Sequence, residues 1–129
     1  MMYIKQYLVT LIVFFVVDIL WLTVIAKKLY AKYLGYIMTD NVNLVAAGIF
    51  YGIFIVGILY FVINPALSKD SLRVAIVSGA LFGFITYATY DLTNLATLKD
   101  WPIMITVIDI TWGTLLSTIV STVSYLILK

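Results

Sequence analysis

The chain has 129 residues, 64% of them hydrophobic and 11% charged, with a mean hydropathy of +1.13 and a net charge of +2. Soluble domains run near 45–50% apolar and roughly 25% charged, so this composition excludes an ordinary water-soluble domain and describes one small membrane-embedded domain. The net charge is too small to argue for nucleic acid, and the lack of Cys, His and Glu removes disulfides, thiolate nucleophiles, imidazole bases and the usual zinc, haem and iron–sulfur ligands.

The first apolar run extends from about Tyr7 to Ala26 and would span ~30 Å as a helix, one bilayer core. It is too long for a signal peptide, contains Asp18, and lacks a small-x-small cleavage site before Lys27-Lys28, so an uncleaved transmembrane helix is expected over 7–26. In residues 27 to 41, Leu29, Tyr30, Tyr33, Leu34, Ile37 and Met38 recur at helical spacing, with Lys28 and Lys32 off that stripe. The pattern fits a short helix lying in the interface, or an ordered amphipathic loop packed on the bundle, with Tyr30 and Tyr33 as interface anchors.

A second span is expected over 42–63, ended by Asn64-Pro65 because the residue before proline is pushed out of helical geometry. Gly48-x3-Gly52 gives it a small-residue face. Asp70 or Ser71 can cap the third span, 72–98, which repeats the device as Gly79-x3-Gly83. Lys99-Asp100 make the tightest loop, Trp101 is read as an interface anchor, and Pro102 suits a first helical turn. The fourth span, 102–128, carries Gly113, Ser117 and Ser121 four apart. The fold expected is all-α: a four-transmembrane-helix bundle with a short interfacial helix between the first two membrane helices. Basic residues do not orient it, since Lys5, Lys69, Arg73 and Lys129 on one side balance Lys27, Lys28, Lys32 and Lys99 on the other.

Three carboxylates stand inside these apolar runs: Asp18, Asp91 and Asp109. A charge there is expensive unless partnered, so an intramembrane acid reads first as a functional candidate. Asp18 is eight residues before Ala26, Asp91 seven before Leu98, and Asp109 seven after Pro102. At 1.5 Å per residue each is ~10–12 Å inside the face that carries the first and third loops, which predicts one polar cluster in one leaflet. On the third helix Tyr87 and Asn94 neighbour Asp91 at helical spacing, with Tyr90 and Thr93 beside it. Val17-Asp18-Ile19-Leu20-Trp21-Leu22-Thr23 is also similar to Ile108-Asp109-Ile110-Thr111-Trp112-Gly113-Thr114; both read Asp-Ile-x-Trp-x-Thr. Candidate catalytic groups are therefore Asp91, Asp109 and Asp18, and candidate ligand contacts Tyr87, Tyr90, Asn94, Trp21 and Trp112. Individually, Trp21, Trp112, Tyr87 and Tyr90 are better explained by packing than by ligand contact. No cofactor is implied, no metal motif of known spacing is present, and no intramembrane Lys or Arg stands ready to pair with the acids.

The segment from Tyr87 to Leu98, Trp101-Pro102, and Asp109 to Thr114 resemble a bacterial membrane family catalogued as domain of unknown function 2177. The first helix with Asp18 and Trp21, Leu34-Gly35, Ala47, Phe50-Tyr51, Gly57 and Pro65-Ala66-Leu67 fit as well, so the resemblance covers essentially the whole chain. It implies a multi-pass protein of the bacterial inner membrane, with membrane lipids as surroundings and no family catalytic residues to carry over. From the residues, the expected function is an intramembrane Asp/Tyr/Asn pocket that binds or modifies a lipid-like apolar molecule. The alternatives are a small proton- or cation-coupled transporter, with a homodimer formed through the Gly/Ser helix faces, and a structural or accessory membrane protein in which protonated Asp acts as interhelical glue.

Overall fold

The computed structural model describes residues 2–39 and 41–129; residue 40, within the first connection, lies outside them. Four helices are long and apolar enough to cross a membrane: α1 (Tyr3–Leu34), α2 (Leu44–Ser68), α3 (Leu72–Thr97) and α4 (Ile103–Leu128). Residues such as Ile12, Val24, Ile53, Val77 and Leu115 face outward, where acyl chains take the place of water.

The first two helices depart from the expected boundaries, each for a local reason. Helix α1 does not stop at Ala26 to begin a separate interfacial helix. It continues through a π-helical segment, Leu22–Ala26, into Lys27–Leu34. No Gly or Pro interrupts it before Gly35, where a Cβ would strike the Ala31 carbonyl. Helix α2 likewise runs past Pro65. A second π segment, Leu59–Ile63, lets the Asn64 N–H reach back to the Leu59 carbonyl, and Pro65 opens the following α-turn, where its missing N–H costs little. The Asn64 side-chain amide also donates to the Leu59 carbonyl, at 3.1 Å.

The other ends follow the capping residues. Asn43 accepts from the Ala46 N–H at 3.0 Å and Ser71 from the Val74 N–H at 3.2 Å. Asp70 and Asp100 turn the chain with positive φ, 47° and 61°, a conformation Asp tolerates better than most residues. Along α3 and α4, Thr86, Thr89, Thr93, Thr97, Thr111, Thr114 and Thr118 each donate to a carbonyl one turn earlier. That bond satisfies a hydroxyl where no water is at hand.

Helices α3 and α4 pack most closely. Added Cβ atoms at Gly79 and Gly83 would run into Ser121, Ser117 and the Gly113 carbonyl, so the small faces of the two helices meet each other inside the chain. The main apolar core joins Phe14 of α1 to Phe54, Ile55, Ile58, Leu59, Val62 and Ile63 of α2 and Leu116 and Val120 of α4. These α2 residues belong to its second half. Its first half, including Leu44, Val45, Ile49 and Phe50, is exposed. The bundle is therefore closed toward the second loop and open toward the first and third. At that open end the Tyr36 hydroxyl donates to the Asp100 carbonyl, tying the first connection to the third.

Candidate functional site

The open end encloses a cavity of about 610 Å³ with walls from all four helices. Asp18 and Trp21 come from α1, Tyr51 from α2, Tyr87 from α3, and Asp109 and Trp112 from α4, with Met38 of the first connection over it. A second cavity, about 370 Å³, lies between Phe50 and Phe54 of α2 and Thr86, Tyr87 and Tyr90 of α3. Asp109 and Tyr87 line both. Phe50 and Tyr90 are 47% and 58% exposed, so the smaller cavity reaches the outer surface between the two helices. Asp109 thus borders a cavity whose lining residues Phe50 and Tyr90 also face outward.

The three aspartates do not form one cluster at equal depth. Asp91 is completely buried, and neither of its oxygens meets a donor from another residue; the group facing it is the Asp109 carboxyl, within hydrogen-bond reach once one of the two holds a proton. Asp109 also accepts from the Tyr30 hydroxyl at 2.5 Å, while Asp18 has a separate partner, the Tyr51 hydroxyl at 3.3 Å. Asp18 and Tyr30 are twelve residues apart on α1. At ~1.5 Å per residue that interval is longer than a tyrosine side chain, so Asp18 lies deeper than Asp109. Equal depth had rested on Ala26 ending the first helix, and α1 does not end there. Among the described residues no three acidic groups approach closely enough to hold one metal ion.

Between the two carboxylate levels lie Trp21 and Trp112, stacked with ring centroids 4.3 Å apart and planes 7° from parallel. Trp21 lies one turn above Asp18 on α1 and Trp112 one turn below Asp109 on the antiparallel α4, so the two rings come from facing helices. The two Asp-Ile-x-Trp-x-Thr motifs therefore form one composite wall, with Asp109 above it and Asp18 below. The Tyr87 ring covers Gly113, where any Cβ would overlap it, and stands edge-on to Phe54 at 6.4 Å and 89°. Glycine in the second motif is what lets Tyr87 into the cavity wall.

Tyr30 and Tyr51 were not legible as site residues. In a continuous α-helix the stripe through Asp18 passes Trp21, Leu22 and Ile25 to Leu29. The π segment inserts one residue, so the stripe shifts to Ala26 and Tyr30, and both line the cavity. Tyr30 thereby leaves the interface stripe to which α-periodicity assigns it. Lys27 also lines the cavity while remaining exposed, so an ammonium stands at its rim. Asn94 lines neither cavity and lies beside Tyr90. Trp101 is buried, not anchored in the interface: its indole N–H donates to Thr106 at 3.0 Å, and its ring meets Tyr90 edge-on at 6.3 Å.

Four membrane-length helices around an acidic, aromatic-walled cavity define a small multi-pass membrane protein. The chain belongs to the predicted membrane protein family DUF2177, which it matches over residues 3–126. No curated protein and no solved structure matches it.

Proposed function

We propose that the cavity holds a lipid-like amphiphile that arrives sideways from the bilayer, its apolar part between α2 and α3 and its polar end against Asp109 and Asp18. The observation that carries this reading is that the two cavities share Tyr87, Asp109 and Phe50 as lining residues, with Phe50 and Tyr90 exposed on the outer side. Binding pockets of this kind combine mostly apolar walls with a few placed polar groups, and here the polar groups are the two carboxylates and the hydroxyls of Tyr30, Tyr51 and Tyr87. The lateral opening suits a molecule already dissolved in the bilayer better than an aqueous ion.

The test is photo-crosslinking in native membranes from a benzophenone amino acid at position 50, with position 77 as control because Val77 faces outward on α3. A discrete lipid-like adduct at 50 and a mixture mirroring the bulk membrane at 77 are expected. The same bulk mixture at both positions would refute the proposal.

A further inference from the structure

The charges around the cavity do not balance. Asp18 and Asp109 line it, Asp91 faces Asp109 from behind, and the ammonium among the lining residues is that of Lys27 at the rim. One proton shared between Asp91 and Asp109 still leaves two negative charges against one positive. In a low-dielectric interior that excess is relieved either by further protonation or by a bound cation, and the aromatic wall favours the cation. The wall between the two carboxylate levels is the Trp21–Trp112 stack, with the Tyr30 and Tyr51 rings nearby, and aromatic faces attract cations, above all alkylated ammonium groups. Asp91, fully buried behind Asp109 and met by no other donor, adds to that excess without lining the cavity itself.

We infer that the polar end of the bound amphiphile is a monovalent ammonium group, held between Asp109 and Asp18 against the tryptophan stack, with its alkyl chain leaving toward Phe50 and Tyr90. This rests on the amphiphile reading above and adds the chemistry of the head. Lys27 stays nearer the surface, so a cation bound at the level of the tryptophans need not displace it. An anionic head would meet two carboxylates at the same place.

The experiment is competition against the position-50 crosslink by amphiphiles of one chain length, dodecylamine, dodecyltrimethylammonium, dodecanol and dodecyl phosphate, compared at equal mole fraction in the bilayer. The two ammonium compounds should suppress the crosslink at least about tenfold more effectively than dodecanol, and dodecyl phosphate should be weakest. Asp109→Asn should sharply reduce the advantage of the ammonium compounds over dodecanol. The wild-type comparison decides the matter even if that variant does not fold. Equal suppression by dodecanol and the ammonium compounds would overturn the cationic head and leave the amphiphile site standing. Suppression by none of the four, together with a bulk-like adduct, would overturn both.

Discussion

Two hydrogen bonds set the chemistry of the cavity, Tyr30 to Asp109 and Tyr51 to Asp18, and Asp91 stands behind Asp109 with no other donor. A hydrogen bond to a charged group contributes about 1.5–3 kcal/mol. Tyr30→Phe should lower stability by that order in a thermal melt in detergent. If Asp109 is the reason, the same change in an Asp109→Asn background should cost clearly less, because neighbours in one network are not additive. Full additivity would show the bond to be incidental. At Asp91 the amide of Asp91→Asn can donate to Asp109, so this variant should melt at or near the wild-type temperature. Asp91→Leu removes the partner of a buried carboxyl and should melt lower. Equal melting temperatures would mean that the pair is not hydrogen-bonded.

Among the elements, the π segment of α1 decides which side chains reach the cavity. Deleting one residue within Leu22–Ala26 should restore α-register and return Leu29 to the stripe of Asp18 in place of Tyr30. In that shortened chain Tyr30→Phe should no longer affect the melting temperature; a loss as large as in the full chain would count against the register argument. The glycines divide by helix. Gly83 lies against the Gly113 carbonyl and Ser117, so Gly83→Leu overpacks the α3–α4 seam and should cost about 1–3 kcal/mol or more in stability. Gly48 has nothing within 4 Å of the position a Cβ would take, so Gly48→Ala should be neutral or raise stability by up to about 1 kcal/mol through helix propensity. Chemical denaturation of both variants would separate the two cases. The α3 and α4 small-residue faces serve contacts within the chain, whereas Gly48 of α2 packs against none of the described residues.

For the molecule as a whole, the important asymmetry is between its two ends. Toward the second loop, Phe54 to Ile63 of α2 pack into the core. Toward the first and third loops, α2 stands clear and leaves the smaller cavity, bordered by Asp109, between Phe50 and Tyr90. Filling that gap should act on ligand access while sparing the fold: Thr86→Phe narrows the smaller cavity and should sharply reduce crosslinking from position 50 with little change in melting temperature. An undiminished crosslink would place the path elsewhere.

Membrane character, four spans, Ser71 as one of two candidate caps for the third, and the acids that lie within the spans were all readable from the chain. Each depends on local hydropathy, capping chemistry or the cost of a charge in hydrocarbon, and these need no knowledge of neighbouring helices. Tertiary structure decided which acids pair, that Asp18 stands apart, that Tyr30 and Tyr51 are their donors, and that the two tryptophan motifs stack. Those outcomes turn on the one-residue shift of a π segment and on the relative height of antiparallel helices. Neither leaves a mark in apolar periodicity, because an outward-facing lipid surface makes every side of these helices hydrophobic.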